Sequence, residues 1–260
     1  MVCNRSSPEI DSMRIFVDPE MISDKFVTIT DKGDIHHITR VMRLSEGAKI
    51  DVSDKTTWEY KCEIDSVLSD EITARIISKN KFEREPETLI TLYQGIPKAG
   101  KMEGIIQKSV ELGVHNIVPF WSERTVVTDK GKFDKKIERW QKISDEAVKQ
   151  CKRGIIPEIS TDVKLKDLVK DLINGNVKYD VTLLAYENEL GTTIKDHIES
   201  METKPKTVSI IIGPEGGISE AEAAALVDAG AVSVSLGKTI LRTETAGPAT
   251  IAMLMYALEL

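Results

Sequence analysis

The sequence predicts an α/β protein with a small β-rich domain ahead of it. Up to Arg84, short strand-like segments are separated by polar turn-like clusters, which is typical of small β domains. Beyond that residue, apolar strands alternate with helical patterns, which indicates an α/β domain with a largely parallel sheet. The charged segment KNKFEREPET, which contains Pro86, separates the two patterns and is interpreted as a linker. We therefore expect one domain over residues 13–85 and a second over residues 86–260.

The first domain is predicted to begin with the strand that Met13 opens. The preceding residues 1–12 are polar and without pattern, so we expect a disordered extension. The other predicted elements complete a partly closed barrel with one helix-like piece. In chain order the segments are RIFV, the helix-like DIHHITRVMR, KIDVSD, WEYKCEIDSVL and EITARIIS.

The second domain alternates strands and helices along its whole length. Gly113 is expected to end the first of its helices, and a long helix is predicted over residues 134–153. The last helix is predicted from about Pro248. The remaining segments, in chain order, are the strand TLITLYQGI, the helix GKMEGIIQKSVELG, the strands HNIVPFW, YDVTLLAYE and TVSIIIG, the helix SEAEAAALVDAG and the strand VSVSLG.

Composition excludes several classes of protein. With 41% apolar and 30% charged residues in a chain of 260, the sequence is that of an ordinary soluble globular protein. The longest apolar run, IAMLMYAL, is too short to span a membrane, and no signal pattern precedes Met13, so a cytoplasmic location is expected. Three widely spaced cysteines favour reduced thiols, and four histidines without ligand spacing predict no metal site.

The net charge of −7 is unevenly distributed. Residues 98–153 carry 13 basic and 8 acidic side chains, whereas acidic side chains outnumber basic ones on both sides of this segment. This basic segment is consistent with an electrostatic surface for RNA. From charge alone, a solvated, lysine-rich helix face is the favoured explanation.

The stretch IIIGPEGGISEAE reads as a buried strand, a glycine-rich turn and a helix start. It has neither the GxGxxG spacing of dinucleotide folds nor the GK[ST] ending of phosphate loops. Glu215 would repel a phosphate at a helix amino terminus, where an anion is otherwise favoured. A neutral or cationic ligand such as S-adenosylmethionine fits the loop better. The alternative is a tight strand-to-helix turn without a ligand.

A second loop, SLGKTILRTETAGPAT, also follows a predicted strand and leads into a helix. Its RTET segment, Arg242 to Thr245, concentrates a cation, a carboxylate and two hydroxyls. Part of this is explained by helix capping, with Thr245 as the cap and Pro248 in the first turn. Loops at the carboxyl ends of neighbouring strands also line the ligand crevice of open α/β sheets.

These segments together resemble the ribosomal small-subunit methyltransferase E family, of the SPOUT class. The likeness rests on IIGPEGGISEAE and SLGKTILRTETA, on GKMEGIIQKSVELGVHNIVPFWSERTVV, RWQKISDEAVKQC and IPEI, and on HHITRVMR near the start. It covers essentially residues 13–260. One departure is Ile155, which stands where family members often carry a second arginine before PEI.

The resemblance implies a PUA-like β-barrel domain for RNA binding and a C-terminal SPOUT-like domain with a parallel sheet and a trefoil knot. It implies a homodimer that uses S-adenosylmethionine to methylate the N3 atom of a specific uridine in small-subunit (16S) ribosomal RNA. The partner would be that RNA or the assembled small subunit, with no membrane. Two alternatives stay open, namely a related knotted methyltransferase acting on another RNA site and a non-catalytic RNA-binding protein of the same fold.

The resemblance also implies a set of site residues. The expected cofactor-binding residues are Leu184, Tyr186, Ile212, Gly213, Pro214, Gly216, Gly217, Leu236, Gly237, Ile240, Leu241 and Thr243. The expected catalytic residues are Arg153, Arg242 and Glu244. The expected contacts to substrate RNA are Arg14, Arg40, Arg43, Lys98, Lys101 and Arg124.

The expected chemistry assigns roles to the three catalytic candidates. Uracil N3 carries a proton, which must be removed by a base or withdrawn by a cation that stabilises the developing anion. Glu244 is the candidate base, and Arg153 and Arg242 are the candidate cations. An ion pair between Arg242 and Glu244 that only shapes the loop is the alternative. The last helix is nearly apolar on all sides, so we expect it to pack partly across a two-fold dimer interface.

Overall fold

The computed structural model describes residues 14–129, 131, 133–189 and 191–260. The predicted extension and Met13 lie outside the described residues. Two compact units are present. The first takes the described residues up to Glu85 together with Lys152–Ile155, and the second takes Pro86–Cys151 and Ile156–Leu260. The return of residues 152–155 to the first unit was not expected from the sequence.

The first unit is a five-stranded sheet in the order β1-β3-β4-β5-β2, in which β1 and β3 are parallel and the other pairs antiparallel. A 3-10 turn, Pro19–Met21, follows the first strand, and a π-helix, His37–Val41, extends the first helix. The elements are β1 Arg14–Phe16, β2 Phe26–Ile29, α1 Lys32–His36, β3 Lys49–Ser53, β4 Trp58–Val67 and β5 Ile72–Lys81.

Alternation of apolar and polar residues sets the inner face of this sheet. Along β4, Cys62 and Ile64 are buried while Lys61 and Asp65 are exposed, and Ile50 of β3 joins the same core. Strand β2 was not predicted, because its four residues are too few to show a period. The linker was predicted to start too early, since β5 pairs with β4 as far as Lys81.

The second unit is built on a seven-stranded sheet in which every pairing is parallel. Its order is β12-β10-β11-β6-β7-β8, with β9 also paired to β7. The strands are β6 Leu89–Gly95, β7 Asn116–Trp121, β8 Glu158–Ile159, β9 Val163–Lys164, β10 Val181–Ala185, β11 Thr207–Ile212 and β12 Val232–Val234. The helices are α2 Lys101–Glu111, α3 Phe133–Cys151, α4 Leu165–Asn174, α5 Ile194–Glu199, α6 Glu220–Asp228 and α7 Thr243–Leu258.

The chain reverses direction across this sheet next to β6. It runs from β6 outwards to β7 and β8, and later fills the other side with β11, β10 and β12. Open parallel sheets bind ligands beyond the carboxyl ends of the strands at such a reversal. In this unit those ends carry the loops that begin after Ala185, Ile212 and Val234.

Two predicted helix boundaries in this unit are wrong. The helix predicted to reach Arg153 ends at Cys151, and Lys152 has a positive φ of 60°. The last helix begins at Thr243, so Thr245 is not its cap and Pro248 lies inside it rather than in the first turn. The reason is that apolar packing starts at Ala246, which is buried ahead of Pro248. Short elements such as α4 and α5 were not predicted.

Both faces of the sheet are covered, as the near-continuous apolar runs of β10 and β11 require. One face packs Leu184 and Ile211 against Leu168 of α4 and Leu226 of α6. Among the described residues, no helix is long and apolar enough to cross a membrane. In the same part of the chain, no group of three or more His, Cys, Asp or Glu side chains is arranged to hold a metal ion.

Candidate functional site

The loops after β10, β11 and β12 enclose a cavity of about 640 Å³ in the second unit. This volume lies within the roughly 300–1,000 Å³ typical of small-ligand sites. Its lining combines glycine backbone, apolar side chains and charged groups. The lining residues are Lys101, Ala185, Tyr186, Glu187, Glu189, Ile212, Gly213, Pro214, Glu215, Gly217, Ile218, Ser235, Leu236, Gly237, Lys238, Thr239, Ile240, Leu241, Arg242, Thr243, Glu244 and Ala246.

The loop after β11 folds tightly against the end of β6. A Cβ atom on Gly95 would lie 2.4 Å from the Pro214 nitrogen, so this approach requires glycine. The Gly217 N–H donates to the Pro214 carbonyl at 2.9 Å and closes the turn. Gly217 has φ +71°, and a Cβ there would lie 2.9 Å from both carboxylate oxygens of Glu187. Glycine is therefore required at position 217 for two reasons: the turn has a positive φ there, and Glu187 leaves no room for a Cβ atom.

The outer side of this loop is fixed by the chain after β7. Ser219 and Glu222 form a capping box at the start of α6. The Glu222 carboxylate also accepts the Glu123 N–H at 2.8 Å, and the Arg124 guanidinium donates to the Gly216 carbonyl at 3.2 Å. A Cβ on Gly216 would lie 2.9 Å from the Arg124 carbonyl oxygen. Gly216 thus faces Arg124, and Arg124 contacts the loop after β11.

A buried hydrogen-bond network connects the loops to the sheet. The Thr243 hydroxyl donates to the Gly213 carbonyl at 2.7 Å and accepts from the Gln94 amide nitrogen at 2.9 Å. The same Gln94 nitrogen donates to the Gly95 carbonyl at 3.0 Å. Gln94 is completely buried, and its Oε1 has no hydrogen-bond partner among the described residues. The sequence analysis missed Gln94, which looks like an ordinary residue at a strand end.

Lys101 joins the two loops from the start of α2. Its ammonium lies 3.0 Å from a Glu215 carboxylate oxygen and 3.3 Å from a Glu244 carboxylate oxygen. Glu215 also accepts the Lys98 N–H at 3.0 Å. Arg242 approaches Glu244 only to 4.0 Å. The cavity therefore holds one ammonium between two carboxylates, one in the loop after β11 and one in the first turn of α7.

The electrostatics of this cluster keep its three groups charged. Hydrogen bonding to Glu215, and then to Glu244, raises the pKa of Lys101. Burial alone would raise the pKa of Glu215, but Lys101 and the backbone N–H groups lower it below its ordinary value. The pKa of Glu244 is lowered by its own backbone N–H, and then by Lys101 and Arg242.

Most of the expected cofactor residues line the cavity. They are Tyr186, Ile212, Gly213, Pro214, Gly217, Leu236, Gly237, Ile240, Leu241 and Thr243. Leu184 is instead fully buried in the sheet core, and Gly216 faces Arg124. Glu187 and Glu189 were not predicted as site residues, although Glu187 ends the predicted strand YDVTLLAYE and Glu189 follows it closely. Ile240 is 81% exposed, so an apolar side chain is presented at the cavity mouth.

The three catalytic candidates lie in different surroundings. Glu244 lines the cavity beside Lys101, and Arg242 also lines it, although its side chain is 81% exposed. Arg153 belongs to the first unit, where its buried guanidinium pairs with the Glu85 carboxylate at 2.8 Å. Glu85 also accepts the Gly154 N–H at 2.7 Å. Arg153 is therefore one partner of a buried ion pair, and its predicted catalytic role stays a prediction.

The expected RNA contacts are also divided among several surroundings. Arg40 and Arg43 are exposed on and directly after the π-helix, and the side chain of Lys98 is free to face solvent while its N–H binds Glu215. Arg14 donates to the Lys152 carbonyl at 2.7 Å and pairs with Glu59, so it fixes the returning segment of the first unit. Lys101 and Arg124 lie at the cavity and its outer loop, as described above.

The cavity lining suits a ligand with a flat apolar ring and a positive charge. Ile212, Leu236 and Leu241 supply an apolar surface. The carboxylates of Glu187 and Glu215 favour a cation nearby, whereas they would repel a phosphate. S-adenosylmethionine has an adenine ring, a sulfonium and no phosphate, so the residues present fit this cofactor.

Comparison with known proteins identifies families and relatives that this chain resembles. An RNA methyltransferase domain family matches residues 84–255, and an RNA methyltransferase PUA domain family matches residues 29–81. Ribosomal RNA small subunit methyltransferase E of Bacillus subtilis is 36% identical over 231 residues, which cover 87% of this chain and 89% of that protein.

Two solved structures extend the likeness to three dimensions. A Legionella pneumophila structure determined with bound S-adenosylmethionine has a TM-score of 0.79 and 32% identity, and the match covers 95% of this chain and 98% of that one. Ribosomal RNA small subunit methyltransferase E from Neisseria gonorrhoeae, also bound to S-adenosylmethionine, has a TM-score of 0.78 and 26% identity, with 94% and 97% covered.

Proposed function

The chain belongs to the ribosomal RNA small subunit methyltransferase E family, and from that premise we propose that it transfers a methyl group from S-adenosylmethionine to the N3 atom of a uridine in small-subunit ribosomal RNA. The observation that supports this proposal most strongly is the cavity between the loops after β10, β11 and β12. Its lining combines glycine backbone with the Glu244 carboxylate and the Lys101 ammonium. Methyl transfer to a weakly acidic nitrogen needs a surface for the cofactor and charged groups that take up the proton and stabilise the anion.

The residues that would hold the cofactor follow from the lining. Gly213, Gly217 and Gly237 expose backbone to the cavity, and the apolar side chains after β11 and β12 would contact the adenine ring. When bound, S-adenosylmethionine supplies a methyl group whose bond to sulfur breaks, with the electron pair remaining on sulfur, as the N3 lone pair forms the new bond. The chain must orient the base and dispose of the N3 proton.

Glu244 is the group that receives this proton in our proposal. Its carboxylate lines the cavity and is ionised at neutral pH, because its pKa is lowered by its own backbone N–H and by Lys101. An ionised carboxylate can accept a proton, and because a lowered pKa makes it a weaker base, the transfer depends on a cation that stabilises the uracil anion. Glu244→Gln keeps the size of the side chain and removes its capacity to accept the proton.

The first unit and the exposed arginines are proposed as the RNA surface. The match to a PUA domain over residues 29–81 and the exposure of Arg40 and Arg43 support this role. Arg40→Ala with Arg43→Ala should weaken RNA binding and lower the log–log salt slope by about 0.7–0.9 for each lost phosphate contact. An unchanged affinity and slope would reject this surface. A ribosomal RNA substrate also implies a cytoplasmic location.

The oligomeric state and the knot are further parts of the proposal. Tyr256 and Met253 are exposed on α7, which supports a two-fold homodimer through this helix. Thr243 returns from beyond β12 at the sheet edge to hydrogen-bond Gly213 and Gln94 at its centre, which supports a trefoil knot. An experimental chain trace in which residues 236–243 pass outside the neighbouring loops would reject the knot.

The proposed reaction is tested with purified protein and methyl-labelled S-adenosylmethionine. Small-subunit ribosomal RNA, free and assembled into subunits, is offered beside transfer RNA, and the products are digested to nucleosides. Label in 3-methyluridine from a small-subunit substrate is the expected result. Label in a ribose-methylated nucleoside would indicate a related methyltransferase, and cofactor binding without label in any RNA would indicate a non-catalytic protein.

A further inference from the structure

The cavity contains few cations that are placed to stabilise a negatively charged base. Arg153 lies in the first unit and is paired with Glu85. The side chain of Arg242 is 81% exposed, and Lys238, which also lines the cavity, is exposed as well. Lys101, by contrast, has only 33% of its side chain exposed and lines the cavity directly. A partly desolvated cation stabilises a nearby anion more strongly than a solvated one.

Lys101 is held by two carboxylates that differ in how firmly they are fixed. Glu215 accepts the Lys98 N–H through both of its oxygens, at 3.0 and 3.2 Å, in addition to the Lys101 ammonium at 3.0 Å. Glu244 lies 3.3 Å from the same ammonium and belongs to the first turn of α7. Glu215 therefore anchors Lys101 at the mouth, while Glu244 is a second partner that an incoming anion can replace.

We propose that Lys101 is a catalytic cation, and that its ammonium stabilises the uracil anion formed when the N3 proton leaves the target base. The proposal rests on the proposed N3 methylation and assigns to Lys101 a role that the sequence had given to arginines. From the sequence, Lys101 was expected among the RNA contacts, because a lysine in a basic segment carries no sign of the two carboxylates that hold it.

The charges balance through this step. The N3 proton passes to Glu244, which becomes neutral, and the electron pair of the broken N–H bond stays on the base as the uracil anion. The Lys101 ammonium then exchanges one anionic partner, Glu244, for another, the uracil, and keeps Glu215 throughout. Because one negative charge replaces another beside the same ammonium, the local net charge does not change.

The test compares Lys101→Met with Lys108→Met, a change of an exposed lysine on the same helix. Each protein is given small-subunit ribosomal RNA made with uridine or with 5-fluorouridine, whose N3–H is more acidic. The RNA is used free or assembled into subunits, whichever the wild type methylates. We expect Lys101→Met to lower the single-turnover rate on uridine RNA by about 100-fold or more, as for removal of one charge-stabilising donor. The loss on 5-fluorouridine RNA should be clearly smaller, and Lys108→Met should behave as wild type on both.

Calorimetry separates this role from a structural one. S-adenosylmethionine affinity should be unchanged in Lys101→Met, because Glu215 stays bound to the Lys98 N–H and the loops stay joined by Thr243 and Gly213. Equal losses on the two RNAs, an unchanged rate, or a loss of cofactor affinity would each overturn the proposal. Lys101→Gln is measured in the same way should Lys101→Met fail to fold. A wild-type protein that does not methylate N3 would instead reject the proposed function.

Discussion

The Thr243 hydroxyl donates a hydrogen bond to the Gly213 carbonyl oxygen at 2.7 Å. Thr243 opens α7, and Gly213 opens the loop after β11, so one side chain connects the two parts of the chain that enclose the cavity. The same hydroxyl oxygen accepts a hydrogen bond from the amide nitrogen of Gln94, which is fully buried. We infer that this network sets the distance between the loops before any ligand binds.

Thr243→Val tests this inference with nearly the same side-chain shape. The variant leaves the Gly213 carbonyl without its donor and the Gln94 amide with one acceptor fewer, which costs about 1–3 kcal/mol when such groups are buried. We expect S-adenosylmethionine affinity to fall about tenfold or more by calorimetry. Thr245→Val, at an exposed position two residues on, is the control. Equal affinities in the two variants would show that the network does not position the loops.

Gly217→Ala tests the backbone requirement of the loop after β11. Alanine disfavours the positive φ at this position, and its Cβ would lie 2.9 Å from the Glu187 carboxylate. Gly230→Ala is matched to it, because Gly230 also has a positive φ but has open space around a Cβ. We expect both variants to lose about 1 kcal/mol of stability from backbone strain, and only Gly217→Ala to lose cofactor affinity. Normal cofactor binding by Gly217→Ala would contradict the assignment of this loop.

Arg153→Met tests whether this arginine is structural. It would leave the Glu85 carboxylate buried without its cation, which costs about 3–5 kcal/mol when one partner of a buried pair is removed. We expect a large loss of stability in denaturant unfolding. Arg139→Met, which removes a largely exposed pair with Glu103, should change stability by less than about 1 kcal/mol. A stable Arg153→Met protein that binds cofactor but transfers no methyl group would support the catalytic role expected from the sequence.

Tyr256→Glu tests the dimer proposed through α7. Tyr256 is 77% exposed, so a charge there is tolerated by an isolated subunit but is buried in a two-fold interface that includes it. We expect the wild type to be a dimer by light scattering and Tyr256→Glu to shift towards monomer. Ile173→Glu on α4, where isoleucine is 63% exposed, should stay dimeric. A wild-type monomer at working concentration would reject the interface.

The sequence predicted the two loops that line the cavity because their characteristic residues are close together in the chain. Glycines and RTET stand together in the chain, and the apolar strands that precede them show which end of the sheet they follow. Gln94 was not recognised as part of the site, and Lys101 was expected only as an RNA contact, because their partners come from distant segments. Gln94 meets Thr243 across 149 residues, and neither residue type is unusual at its position. The ion pair of Arg153 was not foreseen for the same reason, since Glu85 lies 68 residues away.

The boundary of α7 shows a different limit. Proline favours the first turn of a helix, so the sequence placed the start near Pro248. In the fold, Thr243 is already held by Gln94 and Gly213, and Ala246 is buried. Tertiary contacts therefore outweigh the local preference of proline and begin the helix at Thr243.

The central claim is the transfer of a methyl group to N3 of one uridine, and the most direct measurement is made on ribosomal RNA from cells. Small-subunit RNA is compared between a strain without the gene, the same strain with the gene restored, and one restored with Glu244→Gln. Methylation at N3 blocks base pairing, so reverse transcription stops there, and nucleoside mass spectrometry identifies the product. We expect one 3-methyluridine that disappears with the gene, returns with the wild-type chain and is strongly reduced with Glu244→Gln. An unchanged 3-methyluridine content in the strain without the gene, or a lost methyl group that proves to be on a ribose, would contradict the claim.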